Sequence, residues 1–279
     1  MRAVRAVRSW WLDVAALAVA VVVFVIPFLF ILVTAAKDRA TASRLAFTLP
    51  AEWGQLLQNL AEVITARNSL MVTAMRNSVI LTVASVTLIV FLSAMVGYVL
   101  QRRRDRLGAL VSALMLAGLV IPPAIVPTIY VLQSMGLFKT LPGLILVEVA
   151  FLMPFSVLIF RTFVSAIPRE LDEAAIIDGA SPTMLFLRVI LPLLRPAIIT
   201  VIVVSSVAVY NDFVNPLYFL PGTDNATVQL TLFNFQSQFN TRWNLLFADV
   251  LLITIPPLVM FIFFQRQIVS GMTAGAVKG

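Results

Sequence analysis

Six runs of predominantly apolar residues are spaced along the chain: Val14 to Ala36, Asn77 to Leu100, Leu107 to Gln133, Leu141 to Phe160, Ala197 to Leu220 and Leu245 to Phe264. Each has about 20 residues or more, the length an α-helix needs to cross the hydrocarbon layer of a bilayer. The stretches between them leave no room for a sizeable domain. The pattern predicts an all-α integral membrane protein with six transmembrane helices and no sizeable soluble domain. The first run follows a basic start, as a secretory signal does, but it exceeds the roughly 7–15 apolar residues of a signal and no small-residue cleavage site follows. A retained first span is expected.

Periodicity adds elements between and within the spans. After Pro50, residues Trp53, Leu56, Leu57, Leu60, Val63 and Ile64 recur at helical spacing. They predict an amphipathic helix, lying at the outer interface or packed against neighbouring spans. In the second run Ser85, Ser93, Ala94 and Gly97 permit close helix contact. Prolines interrupt the later runs: Pro122, Pro123 and Pro127, then Pro154, Pro216, Pro256 and Pro257. Each frees a backbone carbonyl that neighbours or a wet cavity must satisfy, so broken helices around an internal space are expected in spans three to six.

The segment Ile167 to Pro196 is the longest charge-bearing stretch between apolar runs in the second half, and it reads as two short capped helices. Pro168 suits the first position of a helix from Pro168 to Asp178. Glu170, Asp172 and Glu173 crowd its first turns, where the helix dipole favours negative charge. Gly179 suits a left-handed stop, and Ser181-Pro182 starts a second helix. Leu171, Ala174, Ala175 and Asp178 share one side of the first helix, a small smooth face suited to another protein's groove.

Composition agrees with the membrane assignment: 61% hydrophobic, 12% charged, mean hydropathy +1.00, against about half apolar and about a quarter charged in soluble domains. There is no cysteine and no histidine, which excludes disulfides, thiolate nucleophiles and histidine bases. The only lysines are Lys37, Lys139 and Lys278, and no Gly-x-x-x-x-Gly-Lys-Ser/Thr occurs, so nucleotide binding through a P-loop is excluded. The net charge of +7 would suit nucleic acid, but its distribution points elsewhere. Arg2, Arg5 and Arg8 precede the first span; Arg102, Arg103, Arg104 and Arg106 fill one link; Arg161, Arg169, Arg188 and Arg195 flank the charged hairpin; Arg266 and Lys278 follow the last span. Most basic residues therefore lie on one side, which predicts a multi-pass cell-membrane protein with both termini and the hairpin in the cytoplasm. The Arg102–Arg106 run is too short to favour a nucleic-acid arm.

Acids inside spans are costly and usually functional or paired. Asp212 and Asp249 are the candidates, with Glu148 third. Tyr210, Asn211, Asp212 and Asn215 form a cluster that can donate to and accept from a polyhydroxyl solute, with a ring for a sugar face; the alternative is polar packing between helices.

The spacing Glu173-Ala174-Ala175, three residues, Gly179, nine residues, Val189-Ile190-Leu191-Pro192 resembles the EAA loop of binding-protein-dependent ABC importer permeases, with Val189 where that family usually has isoleucine. The resemblance implies a type I, MetI-like permease core in which Glu173, Ala174, Ala175, Asp178, Gly179, Leu191 and Pro192 couple to a separate ATPase. The ending Gly271-Met272-Thr273-Ala274-Gly275-Ala276-Val277-Lys278-Gly279 resembles the maltose-type, carbohydrate-uptake branch. It implies that Gly271, Thr273, Gly275 and Lys278 reach the ATPase. Three regions follow: 1–70 with the first span and amphipathic segment, 71–266 as the permease domain, and 267–279 as the tail. The implied partners are a second homologous permease, two ATP-binding subunits that hold ATP and magnesium, a solute-binding protein facing the polar loop Pro221 to Trp243, and a sugar. The chain itself would be a transporter subunit and not an enzyme, with no cofactor or metal of its own. The competing expectation is a self-contained ion-coupled carrier using Asp212 or Asp249.

Overall fold

The computed structural model describes residues 2–103, 105–236 and 241–276, with side chains from residue 10 to residue 265 within those ranges. Among the described residues every regular element is helical. α1 (Arg2–Ala20) runs through a π-helical segment (Val21–Val25) into α2 (Ile26–Ala35). Then come α3 (Arg39–Ala42), α4 (Gly54–Arg102), α5 (Arg106–Val120), α6 (Ile125–Ser134), α7 (Leu141–Ser165) and α8 (Glu170–Ile177). α9 (Pro182–Met184) leads through a second π-helical segment (Leu185–Ile190) into α10 (Leu191–Leu193). α11 (Arg195–Asn211), α12 (Val214–Phe219), α13 (Val228–Thr231) and α14 (Trp243–Ala276) complete the order.

Four stretches are long and apolar enough to cross a membrane alone: Trp10–Ala35, Gly54–Arg102, Leu141–Ser165 and Trp243–Gln265. The others are bent pairs. Arg106–Val120 and Ile125–Ser134 meet at 120°, and Pro182–Leu193 meets Arg195–Asn211 at 76°. Six spans result if each bent pair counts as one. The sharp bend follows from Pro122-Pro123. Neither has an N–H, and Ile121 before them is forced extended, with ψ 122°. The expectation that prolines break every span from the third to the sixth is corrected. α7 runs through Pro154, and α14 through Pro256 and Pro257, because one or two lost hydrogen bonds do not outweigh the remaining ladder in an apolar setting.

The amphipathic helix is present but is separated from the second span by a turn rather than a loop. Within α4, Ala66 is extended (ψ 145°), and Arg67, Asn68 and Ser69 are left-handed, with φ 49°, 58° and 59°. The helix before this turn buries Asn59 and Val63 and exposes Trp53, Leu57 and Ile64.

The chain forms two compact units. One comprises residues up to Val72 together with Leu230–Ile255; the other comprises Thr73–Gln229 and the residues from Pro256 onward. Asn59 holds the first unit together. Its amide nitrogen donates to the Ala35 carbonyl at 2.8 Å and the Lys37 carbonyl at 2.9 Å, at the end of α2. Its oxygen accepts from Gln55 at 3.2 Å and Asn244 of α14 at 3.0 Å. The end of a helix leaves carbonyls without intrahelical partners, and here one buried amide satisfies two carbonyls. Lys37 is also buried, its ammonium donating to the Ala46 carbonyl at 2.7 Å.

Among the described residues, the second unit contains two apolar cores. Phe160, Val164, Leu185, Phe186, Ile190 and Leu194 dominate one. Leu81, Leu132, Leu144, Val209, Phe219 and Leu220 make the other. Close contact of α4 with α7 depends on small residues, as expected. Ser93 and Ala94 are fully buried. A methyl group on Gly97 would lie 2.7 Å from Phe160 Cβ and 3.3 Å from the Arg161 nitrogen. Gly97→Ala is therefore expected to cost about 1–3 kcal/mol by overpacking and to lower the thermal unfolding midpoint in detergent. Gly54→Ala, where nothing lies within 4 Å, serves as the silent control. Equal midpoints for the two variants would refute the close approach.

Candidate functional site: a capped hairpin and a polar helix break

The charged hairpin forms two short helices with the expected punctuation. α8 ends in a Schellman motif. Gly179 adopts φ 80°, its N–H bonds the Ile176 carbonyl at 3.0 Å, and the Ala180 N–H bonds the Ala175 carbonyl at 2.9 Å. Ser181 then caps the next turn, accepting from the Met184 amide at 3.3 Å, with Pro182 at its start. The beginning differs from expectation. α8 starts at Glu170 with Arg169 as its cap residue, and Pro168 lies just outside, because the Arg169 carbonyl, not that of Ile167, accepts the first helical bond.

The exposed face also differs. Asp172 and Ala175 turn inward, and Ala175 packs on the Phe186–Ile190 core. Glu173, Ala174, Asp178, Leu171 and Ile176 are exposed, and Ile177 is 84% exposed. Leu191 is half-buried on the same core, whereas Pro192 is exposed.

Sequence reasoning missed what anchors the hairpin. Arg102, the last residue of α4, pairs with Asp172 at 2.6 Å, with side-chain exposures of only 15% and 13%. It also donates to the Ile167 carbonyl at 3.1 Å, and its guanidinium lies 5.9 Å from the Tyr98 ring centre. Arg169 donates back to the Arg102 carbonyl at 3.5 Å. The two partners are 70 residues apart. Arg102 reads in the sequence as one charge in a basic run, and Asp172 as a helix-dipole acid.

The second cluster lies where the fifth apolar run breaks. α11 ends at Asn211, Asp212 is extended (ψ 125°), and its carboxylate accepts from the amides of Val214 at 2.9 Å and Asn215 at 3.2 Å. Asp212 thus caps α12. Asn215 donates to Glu148 of α7 at 3.2 Å, and the buried Glu148 carboxyl faces that of Asp212. The other two candidates diverge from this group. The Tyr210 hydroxyl donates to Met75 Sδ at 3.7 Å, and its ring lines a cavity of about 150 Å³ with Thr82, Ser206, Pro256 and Met260. Asn211 is exposed and accepts from Gln229 at 3.4 Å, while Gln229 also caps the Tyr210 carbonyl at 3.3 Å. Asp249 is elsewhere, in the first unit, fully buried, with the Thr231 hydroxyl 3.1 and 3.0 Å from its two oxygens. Gly271, Thr273 and Gly275 lie in α14, whose backbone is helical to Ala276. Lys278 lies outside the described residues, as do Gln238 and Asn240 of the polar loop.

Asp172→Asn and Arg102→Gln should each lower stability by about 1.5–3 kcal/mol, the range for hydrogen bonds to charged groups. The double variant should cost clearly less than the sum of the two. Thermal unfolding of the four proteins measures this; strict additivity would show that the pair carries no coupling.

Comparison with known proteins gives a consistent picture. Residues 89–274 match the family described as binding-protein-dependent transport system inner membrane component. The diacetylchitobiose uptake system permease protein NgcG of Streptomyces coelicolor is 32% identical over 261 residues, 92% of this chain and 85% of that protein. The melibiose/raffinose/stachyose import permease protein MelC of Bacillus subtilis is 32% identical over 206 residues, 73% of this chain and 75% of that one. A bacterial ABC transporter involved in the import of alginate shares the fold, with a TM-score of 0.79 at 18% identity, covering 95% of this chain and 96% of its own. Membership sets aside the self-contained ion-coupled carrier. With its membrane-crossing helices, its Glu173–Pro192 hairpin and these relatives, the chain belongs to the family of binding-protein-dependent transport system inner membrane components.

Proposed function

We propose that this chain forms half of the translocation pathway of an ATP-driven importer of oligosaccharides or related glycosides, and that α8 docks it on a separate ATPase. The observation that carries this reading is the combination of an exposed α8 face with a clamped base. Glu173, Ala174, Ile177 and Asp178 are presented outward, while Arg102 ties Asp172 to α4. A displacement of α8 is then passed to α4 as a rigid-body movement rather than absorbed in a loop. The solute class rests on the relatives, named for uptake of diacetylchitobiose and of melibiose, raffinose and stachyose.

The rest of the assembly follows from the same reading. The excess of basic residues beside the hairpin supports a cytoplasmic position for it and for both termini. A second homologous permease completes the pathway. Two ATP-binding subunits hold ATP and magnesium, receive α8, and are reached by the segment carrying Gly271, Thr273, Gly275 and Lys278. A solute-binding protein meets the loop from Pro221 to Trp243. ATP and the loaded binding protein both favour the outward-facing state, so each strengthens the binding of the other. In the pathway, Asn215 and Glu148 are the groups proposed to offer hydrogen bonds to sugar hydroxyls, with Asp212 holding Asn215 at the helix break.

Glu173→Lys and Ile177→Asp are expected to abolish co-purification of the ATPase and solute uptake while the permease remains in the membrane at its usual level. Retention of both activities in both variants would refute the docking role. Asn215→Leu, by contrast, should lower uptake at least tenfold, which corresponds to about 1.4 kcal/mol, with ATPase association intact. Unchanged uptake would remove the helix break from the pathway.

A further inference from the structure

Two apolar grooves flank one stripe of α4, at the end of the helix that carries the arginines. Met95 and Val99 line both. One groove, of about 270 Å³, is completed by Leu107, Gly108 and Val111 of α5, and Arg103 closes its end. The other, of about 240 Å³, is completed by Pro182 and Thr183 of α9 and by Phe186 and Leu187 after it. Among the described residues, Arg103 is the only charged one that lines either groove.

The rim above them is cationic. Arg102 is committed to Asp172. Arg103 is about half exposed and pairs with Asp105 at 2.5 Å. That interaction, followed by the bond from the Gly108 amide, holds the Asp105 carboxyl below its ordinary range, so it stays ionised. Arg106 is exposed at the first position of α5. Asp105 and Asp172 each pair with an arginine, so that Arg102, Arg103 and Arg106 exceed these two acids by one positive charge. A pair of adjacent apolar clefts under a cationic rim matches an amphiphile with two chains and a negative head.

We propose that this face binds an anionic phospholipid. Its acyl chains lie in the two grooves astride Met95 and Val99, and its phosphate sits between Arg103 and Arg106. The second groove is walled by the α9 end of the hairpin, and the rim includes the Arg102 anchor of α8. The bound lipid therefore braces the hairpin against α4. A water-soluble phosphate compound would meet the rim but leave the grooves unused.

The test is native mass spectrometry of the full chain in detergent, supplied with phosphatidylglycerol or with phosphatidylcholine of the same chains. The unaltered protein should retain phosphatidylglycerol preferentially. Arg103→Gln and Arg106→Gln should each reduce that preference about fivefold, the effect of roughly one interfacial cation. Arg44→Gln, an exposed arginine elsewhere, should leave it unchanged. Val99→Trp, which fills both grooves, should reduce retention of both lipids while the thermal midpoint shows that the protein is folded. A large excess of sn-glycerol 3-phosphate should not displace the lipid. Equal retention of the two lipids by the unaltered chain, survival of the preference in the Arg103→Gln/Arg106→Gln double variant, or displacement by the soluble phosphate would each overturn the assignment. The same holds if Val99→Trp is folded and retains both lipids in full.

Discussion

A backbone carbonyl or amide without a partner is expensive in an apolar environment. Much of this structure is arranged around that cost. At several helix ends and breaks, a polar side chain from a distant part of the chain, or a capping residue at the break itself, supplies the missing bond. Asn59 takes the carbonyls at the end of α2. Asp212 takes the first amides of α12, and Gln229 the carbonyl of Tyr210. Asn77 and Ser78 do the same for the segment before α13, donating to the Ala226 carbonyl at 3.1 Å and accepting from the Val228 amide at 3.0 Å. Many of the polar residues inside apolar runs are therefore helix-end partners first. Any role in solute passage is laid over that one.

The same constraint accounts for how the hairpin is built. Its own bonds, the Schellman turn at Gly179 and the Ser181 cap, make α8 and α9 self-sufficient. That leaves the outer face of α8 available to another surface. The inner side is fixed by one half-buried ion pair and by Ala175 on the core. A pair shielded to this degree is costly to break from one side only, because the remaining charge stays buried. The hairpin is thus a locally capped structure tied to α4 at Arg102 and seated on the core through Ala175, Phe186 and Ile190.

The two acids first singled out inside the spans have unlike roles. Asp212 is a helix cap that also faces Glu148, in a cluster joined by Asn215. Asp249 is held by the Thr231 hydroxyl, in the first unit. Apolar patterning showed only that both lie in spans. The distinction between a polar cluster at a break and a buried acid bonded to a hydroxyl came from the packing of α7, α12 and the segment before α14.

Local regularities settled what the sequence could settle by itself. Apolar run length established the membrane class, cap and stop residues established the two helices of the hairpin, and small residues marked the α4–α7 contact. Each of these is a matter of near neighbours in the chain or of helical period. Tertiary structure decided the rest. It bent the third run by 120° and broke the fifth at Asp212, while α7 and α14 continued through their prolines. It turned Ala175 inward and Ile177 outward, and it joined Arg102 to Asp172 across 70 residues. The physical reason is common to all three. Whether a proline breaks a helix, which side of a short helix is buried, and which charges pair all depend on what packs alongside, and local sequence spacing carries no record of that.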